Sequence, residues 1–539
     1  MMWIRFFIRE INACLHLAMQ NHARSIKGCS IEYNEIRNIN NELQHARPTK
    51  DIPGPKALPL FGNWFRFMPY GEYYNVNVLT LMRMLRDKYG KIVKLDGIIN
   101  KPPHIFLLCP DLCKDMYKLQ GKWPTRISLE PMHYYRMNRE HIYNGQYGLF
   151  YFVLTHYNNN IYLIQGELWY NLRSKVNPYM MRANFINMHV TQIHDVVDEF
   201  IEKIRGLKDP KTLELPSDFM NEIYKFSLES MCLIALDCRM GCLGSNLSMN
   251  SESQIMINCV QESFELMYRL ENQPSLWKVY NTKDLKKLFH IFDTINDIST
   301  KHIEYAKMKL SKTTDITNLE KRSVLEKLLC IDKQIAHTIA LDLIASTDTT
   351  SNAAGALLYH IANNMEKQEK LRKEVMSVLP DKTTPVTVDI LGRIPYVKAC
   401  IKESMRLFPI ASGVLRTMQK DVCIGGYIIP KGTNVTACHS VLSMNPIYFP
   451  RPQEFIPERW LRDTPEYSLY KKTHPFVYMP FGYGVRMCIG QKFAEMELQT
   501  LLLKMIRNFR IEWHHGPLKY KSQIVNTVSS PLLFKLIDL

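Results

Sequence analysis

The sequence Phe481-Gly-Tyr-Gly-Val-Arg-Met-Cys-Ile-Gly490 sets one cysteine, Cys488, in a turn with three glycines. Glycine permits positive φ angles and a close approach of the backbone to a flat cofactor. A helix-like segment follows, and its N-terminal amides would point toward the sulfur and favour the thiolate. A thiolate held in this way is a suitable axial ligand for haem iron. This turn alone makes Cys488 a candidate for such a ligand, and the ordinary alternative for a lone cysteine is a small buried hydrophobic side chain.

The spacing Phe-x-x-Gly-x-Arg-x-Cys-x-Gly resembles the haem-thiolate signature of the cytochrome P-450 family. The resemblance implies that haem b (iron protoporphyrin IX) is the cofactor and that Cys488 is the axial ligand of its iron. Phe481, Arg486 and Gly490 are then expected to bind the haem. The family's fold, mainly α with small β-sheets (α+β), is expected as well. Nearly the whole chain from residue 52 onward shares this resemblance.

A second motif, Ala345-Ser-Thr-Asp-Thr-Thr350, interrupts an apolar helical run. Polar groups inside a buried helix are costly unless they are paired or used, and a threonine hydroxyl can bend a helix by bonding the preceding turn. On this segment alone, an N-cap for a second helix explains the residues equally well. The motif resembles the family's oxygen-activation motif, which implies that Asp348 and Thr349 are catalytic and deliver protons to O₂, the co-substrate. Ser346 replaces the family's glycine, and its side chain is expected to crowd the kink.

The third motif is Glu403-Ser-Met-Arg406, whose ends share one helix face. Together with Arg459 further along the chain, it resembles the family's buried charge triad. A buried ion pair needs a third member to satisfy its remaining donors and acceptors. We expect this triad to be structural and to lock the core that supports the cysteine turn.

Haem carries two propionates, so its site needs cations. Trp169 and Arg173 match the family's Trp-x-x-x-Arg, and Arg416 lies where the family supplies a further arginine after the Glu-x-x-Arg helix. Arg486 is expected to be the third such cation. Arginine fits a carboxylate with two parallel hydrogen bonds. A solvated surface arginine is the alternative for each of them.

Three lysines indicate which kind of protein donates the electrons. Lys398 and Lys402 stand on one face of a helix, and Lys492 follows the cysteine turn. The resemblance to mitochondrial members implies that all three dock an acidic 2Fe–2S, adrenodoxin-like ferredoxin, although Gln491 replaces a second basic residue. An ordinary solvated basic face is the alternative.

The first 30 residues carry four basic side chains and one acid, and their apolar residues can share one helix face. Such a leader is typical of a mitochondrial transit peptide, and a frayed tail is the alternative. The uncharged run at 11–23 is too short and too polar to span a bilayer. We therefore expect a leader at 1–50, a catalytic domain at 51–539, and attachment to the matrix side of the inner mitochondrial membrane without a transmembrane helix.

The net charge is +16 and the pI about 9.1. Residues 1–50 hold seven basic and four acidic side chains, so the remainder keeps about +13. Since no nucleic-acid motif is present, this charge suggests an anionic membrane or an acidic protein partner. The thirteen scattered cysteines do not form the pattern of a secreted disulfide framework, which favours a reducing compartment.

The segment 150–165 is atypical for the family. It is uncharged, rich in Tyr, Asn, Ile and Leu, and prone to aggregation if exposed. Two explanations remain open: a real loop near the haem face, or a retained intron translated into the protein.

These patterns predict a haem-thiolate monooxygenase that inserts one oxygen atom from O₂ into a lipophilic small molecule. Electrons would come from NADPH through a ferredoxin reductase and ferredoxin. Phrases such as Leu270-Glu-Asn-Gln-Pro-Ser-Leu-Trp277 resemble the arthropod branch of the mitochondrial clan, which oxidises xenobiotics or steroids; we favour xenobiotics. The alternatives are a haem-thiolate isomerase or peroxide-using enzyme, and an inactive haem-binding product if the 150–165 segment is disruptive.

Overall fold

The computed structural model describes residues 43–97, 103–126, 129–143, 148–149, 161–182, 184–244, 247–248, 250–272, 276–312 and 322–539. Most of the expected leader (1–42) and most of the atypical segment (150–160) therefore lie outside the described residues. Residues 161–165 form the first part of a long helix.

Helices dominate the described part of the chain, with short strands between them. The mainly α architecture expected from the sequence is therefore confirmed. The helices are α1 (Val78–Tyr89), α2 (Pro110–Leu119), α3 (Glu130–Met137), α4 (Glu140–Tyr143), α5 (Ile161–Met180), α6 (Asn184–Leu207), α7 (Phe219–Ala235), α8 (Glu252–Asn272), α9 (Lys283–Lys312), α10 (Val324–Leu329), α11 (Lys333–Ala345), α12 (Thr347–Ala362), α13 (Met365–Val378), α14 (Val388–Gly392), α15 (Pro395–Leu407), α16 (His439–Ser443), α17 (Pro465–Lys471) and α18 (Gln491–Asn508). The strands are β1 (Ile92–Leu95), β2 (His104–Leu107), β3 (Val414–Thr417), β4 (Val422–Ile424), β5 (Tyr427–Ile429), β6 (Asn434–Ala437), β7 (Phe509–Glu512), β8 (Tyr520–Ser522), β9 (Asn526–Val528) and β10 (Lys535–Asp538).

Four strands form the largest sheet, in the order β1-β2-β6-β3. The pairs β1/β2 and β3/β6 are antiparallel, whereas β2 and β6 run parallel. The remaining strands form the two-stranded pairs β4/β5, β7/β10 and β8/β9. The β4/β5 turn is Gly425-Gly426, and both glycines have positive φ angles of 60° and 77°. A two-residue hairpin turn with two positive φ angles favours glycine at both positions.

Helices α11 and α12 run through the core. Asp332 starts α11, because its side chain accepts hydrogen bonds from the backbone amides of Gln334 (2.8 Å) and Ile335 (3.1 Å). Every residue at positions 335–344 is buried. A helix that is buried on all sides needs neighbours on all sides, which explains its central place. The helix is broken at Ser346, and α12 continues beyond it.

The predicted charge triad meets at the inner face of α15. Arg406 forms two hydrogen bonds with the Glu403 carboxylate (2.8 and 2.9 Å), and Arg459 reaches the same carboxylate at 3.2 Å. All three side chains are buried. Trp460 donates its indole N–H to Glu403 at 3.0 Å. The carboxylate is thus bonded by three side chains, as a buried charge requires.

The end of the 1–50 stretch is joined to the body. The backbone of Arg47 bonds Gly426 (2.9 Å) and Ile428 (2.8 Å), so it extends the edge of strand β5. The Arg47 guanidinium also stacks 4.0 Å from the centre of the Tyr427 ring. Within the described residues, no helix combines the length and the apolar character that crossing a bilayer requires.

Candidate haem site

The cysteine turn has the close backbone geometry that its glycines allow. Gly482 and Gly484 have φ angles of 73° and 78°, a region that side-chain-bearing residues rarely adopt. The Cys488 amide donates to the carbonyl of Phe481 at 2.9 Å, which closes the turn. Helix α18 begins directly afterwards, with Gly490 as its N-cap. The sulfur therefore stands just before a helix N-terminus, as predicted.

Cys488 is exposed even though protein surrounds the turn. Burial raises the pKa of its thiol, while the Gly490 amide and the guanidinium groups of Arg173 and Arg126 lower it. A bound metal ion would tip this balance, because a coordinating thiol is deprotonated outright. An accessible sulfur with cations nearby fits the role of a haem iron ligand.

Arginines cluster beside the cysteine. Burial, followed by the charges of Arg126, Arg416 and Arg173, holds the pKa of Arg486 well below its usual value. Burial likewise lowers the pKa of Arg173 and that of Arg416 to about 10. Among the described residues, no carboxylate forms an ion pair with Arg173, Arg416 or Arg486 within 4.0 Å. Buried cations without a carboxylate fit a site for an anionic group such as the haem propionates.

Other contacts join this cluster to the cysteine turn. Arg173 on α5 donates to the Met487 carbonyl at 2.8 Å, which ties α5 to the turn. The Arg486 guanidinium stacks 3.7 Å from the Trp169 ring. Trp169 donates its indole N–H to the Leu149 carbonyl at 3.1 Å. Residues predicted from three separate sequence motifs are thus brought together.

Arg126 is a member of the cluster that sequence reasoning did not assign to the site. Burial lowers its pKa, and its charge acts on both Arg486 and Cys488. It ends the phrase Gly121-Lys-Trp-Pro-Thr-Arg126, which resembles the mitochondrial members of the family. This segment was the only hint in the sequence that Arg126 could belong to the site, but it carried no information on the distance between Arg126 and the cysteine.

Hydroxyl groups bond the backbone carbonyls around the break between α11 and α12. Ser346 donates to Leu343 (2.6 Å), Thr347 to Ile344 (2.8 Å) and Thr349 to the Ser346 carbonyl (2.8 Å). Ser346, expected to crowd the kink, therefore bonds within it. The Ser346 side chain makes no capping bond to α12. The bent-helix interpretation thus fits these contacts better than a side-chain N-cap does.

Asp348 is buried on α12. Its Oδ1 accepts a 2.6 Å hydrogen bond from the Tyr224 hydroxyl, whereas its Oδ2 has no hydrogen-bond partner among the described residues. Burial raises the pKa of Asp348, and the hydrogen bonds from Tyr224 and Asn352 lower it. Nothing in the local sequence signalled Tyr224, because it comes from the distant helix α7.

The three predicted docking lysines are not equally accessible. Lys402 is exposed on α15, whereas Lys398 and Lys492 are half-buried. The Lys402 ammonium lies 5.9 Å from the Trp460 ring, and its backbone carbonyl accepts from the Tyr478 hydroxyl at 2.9 Å. Helix α15 therefore presents the charge triad inward and Lys402 outward.

Comparison with known proteins gives the family context. The profile of the cytochrome P450 family matches residues 52–536. "Cytochrome P450 CYP12A2" of Musca domestica is 36% identical over 512 residues, covering 92% of each chain. "Probable cytochrome P450 12b2, mitochondrial" of Drosophila melanogaster is 35% identical over 506 residues, covering 92% of this chain and 91% of its own. "Cytochrome P450 12b1, mitochondrial" of Drosophila acanthoptera is 34% identical over 493 residues, covering 90% and 89%.

Proposed function

This chain belongs to the cytochrome P450 family and is a haem monooxygenase; from that premise, we propose that it oxidises a lipophilic xenobiotic or steroid with electrons from a ferredoxin. The observation that carries the haem chemistry is the exposed Cys488 beside a cluster of arginines. When bound, the haem supplies the redox chemistry that activates O₂.

The chain's own residues bind and orient the cofactor in this proposal. Cys488 would ligate the iron, and Phe481 and Gly490, at the two ends of the turn, would help to hold the haem. The cations Arg173, Arg416 and Arg486, with Arg126 as an addition, bind the two propionates. Trp169 holds the Arg486 guanidinium by stacking, at the observed 3.7 Å.

Proton delivery is assigned to Asp348 and Thr349. Among the described residues, the Asp348 Oδ2 has no hydrogen-bond partner, so this oxygen can accept a proton and pass it on. The Thr349 hydroxyl lies at the helix break, where it donates to the Ser346 carbonyl at 2.8 Å. Burial raises the pKa of Asp348, which makes its protonated form easier to reach.

We assign electron delivery to an acidic 2Fe–2S ferredoxin, reduced from NADPH by its reductase. Two relatives carry the word mitochondrial in their names, and Lys402 gives α15 an exposed positive charge beside half-buried Lys398. Lys492 adds charge near the cysteine turn. Opposite charge on the partner would steer the encounter and fix its orientation.

We place the enzyme on the matrix side of the inner mitochondrial membrane. Apolar side chains near the start of the catalytic domain support peripheral attachment, since Leu60, Phe61 and Tyr70 are exposed. The leader, proposed at 1–50, would direct import. Because Arg47 bonds strand β5, we expect cleavage within this leader, before Arg47, so that its last residues stay attached to the catalytic domain proposed at 51–539.

The first test replaces Cys488 with serine in the haem-loaded protein and uses Cys259→Ser, a half-buried cysteine on α8, as the matched control. The reduced wild-type and control proteins should show a strongly red-shifted Soret band with CO, and Cys488→Ser should lose it. Retention of the band in Cys488→Ser would refute thiolate ligation by this residue. Product formation should also require NADPH, ferredoxin and its reductase; turnover without them would instead favour the isomerase or peroxide-using alternative.

A further inference from the structure

Side chains from two helices, α7 and α12, form a buried network that includes the Asp348 carboxyl group. Tyr224 on α7 donates its hydroxyl to the Asp348 Oδ1 at 2.6 Å. Asn352, one helical turn after Asp348, has its Nδ2 at 2.9 Å from the Tyr224 hydroxyl and 2.8 Å from the Asp348 carbonyl. All three side chains are buried.

The network is anchored from the far side as well. The Asn352 Oδ1 accepts the backbone N–H of Val528 in β9 at 2.7 Å. This bond fixes which end of the Asn352 amide faces Tyr224, so the Nδ2 must point at the phenol oxygen. Tyr224 therefore receives one hydrogen bond and gives its single proton to Asp348. Its hydroxyl has one orientation that satisfies every partner.

This arrangement makes the two oxygens of Asp348 unequal. Oδ1 is engaged by Tyr224, with the Asn352 Nδ2 further away at 3.4 Å. Oδ2 is buried and has no hydrogen-bond partner in the described part of the chain. A buried polar atom without a partner is costly, and such atoms are often kept for function. A hydrogen bond to the ionised carboxylate favours the charged form, so the phenol offsets part of the effect of burial.

We propose that Tyr224 is a positioning residue for Asp348, and that it holds Oδ1 so that Oδ2 alone accepts and releases the proton during turnover. Asn352 orients Tyr224 for this task. The inference rests on the proposed proton-delivery role of Asp348. It assigns to α7 a part in the chemistry that the motif Ala345-Ser-Thr-Asp-Thr-Thr350 does not contain.

The alternative is a bond that only fastens α7 to α12. Such a bond would contribute to stability but would leave the protonation of Asp348 unchanged. The two roles are therefore separated by measuring the carboxyl group itself and not only the activity.

The experiment uses the haem-loaded full chain with Tyr224→Phe, and Tyr396→Phe as the matched control. Tyr396 is also a buried phenol that donates to a carboxylate, Glu458, at 3.2 Å, but it lies outside the network. Infrared spectra of the resting protein across pH follow the protonated-carboxyl band, which is assigned to Asp348 by its loss in Asp348→Asn. Loss of the phenol should raise the pKa of Asp348, so the band should persist to a pH about one unit higher in Tyr224→Phe. Tyr396→Phe should leave it in place.

A turnover measurement accompanies the spectra. The fraction of NADPH electrons recovered in product should fall several-fold in Tyr224→Phe, and its pH dependence should shift in the same direction as the band. If neither the infrared band nor the electron recovery changes more in Tyr224→Phe than in Tyr396→Phe, the inference is overturned. Should Tyr224→Phe fold poorly, Asn352→Ala is the second variant and is expected to shift the band in the same direction by a smaller amount. An unshifted band in Asn352→Ala would count against the inference.

The two proposals fail in different ways. An unchanged product yield in Asp348→Asn would contradict the proton-delivery role of Asp348. The infrared band needs no turnover, so it would still decide whether Tyr224 governs the carboxyl group.

Discussion

In the proposed haem site, Arg486 would favour cofactor binding and lower the stability of the protein without haem. Burial of its guanidinium, followed by repulsion from the charges of Arg126, Arg416 and Arg173, depresses its pKa. Each such pKa shift measures a cost of keeping the group charged in the fold. The cost is recovered when an anion binds among the four groups.

Replacing Arg486 with glutamine should therefore have opposite effects on the two forms. Haem affinity should fall roughly 10- to 100-fold, because a charge-assisted hydrogen bond contributes about 1.5–3 kcal/mol. The apoprotein should become more stable, because one of the mutually repelling charges is gone. Haem titration and denaturant unfolding of the apoprotein measure the two effects.

Arg462→Gln, at an exposed position, is the control and should change neither quantity. An Arg486→Gln apoprotein that is less stable than the wild type, with unchanged haem affinity, would contradict the cation-cluster account.

At the scale of elements, helix α15 combines two tasks on opposite faces. Its inner face holds the Glu403–Arg406 pair, and its outer face carries Lys402. A substitution on one face should leave the property of the other unchanged. This separation allows the two faces to be tested independently.

On the inner face, Glu403→Gln should lower the free energy of unfolding by roughly 3–5 kcal/mol, because Arg406 and Arg459 would lose their carboxylate in a buried site. Glu454→Gln is the control: its pair with Arg451, at 3.2 Å, is exposed and should contribute less than about 1 kcal/mol. Denaturant unfolding of both variants measures the difference. Equal losses would argue against a structural role for the triad.

On the outer face, Lys402→Glu should raise the KM for ferredoxin about tenfold while the CO-difference spectrum stays unchanged, because charge reversal weakens electrostatic steering. The effect should shrink as salt is added, since exposed charges are screened. Lys420→Glu places the same charge change at an exposed position off α15 and should have little effect. Steady-state kinetics over a range of ferredoxin concentrations measures this KM. An unchanged KM in Lys402→Glu would contradict docking at this face.

The sequence predicted elements whose pattern is local. The polar interruption of an apolar run marked the break between α11 and α12. The sequence did not identify Tyr224 and Arg126 as site residues, because their roles depend on contacts with residues distant in the chain. Periodicity and spacing carry no information on such contacts unless a motif spans both partners.

At the scale of the whole molecule, the start of the chain is part of the folded body from about Arg47 onward. A protein lacking residues 1–42 keeps the Arg47 bonds to strand β5, whereas one lacking 1–50 loses them. The second should be less stable by about 1–3 kcal/mol, from two backbone hydrogen bonds and one cation–π contact. Denaturant unfolding of the two haem-loaded proteins provides the comparison.

The same boundary predicts the N-terminus of the mature protein. Sequencing the protein isolated from mitochondria should give a first residue before Arg47. A mature chain that starts after residue 50, with full stability, would contradict this boundary.

The arginine cluster has a consequence for the life of the protein in the cell. Until haem binds, repulsion among these arginines lowers the stability of the fold. The haem-free chain therefore populates unfolded states more often. Proteases cut chains in proportion to the population of such open states. Scarcity of haem should therefore remove this protein by degradation, so that its abundance follows the supply of its own cofactor.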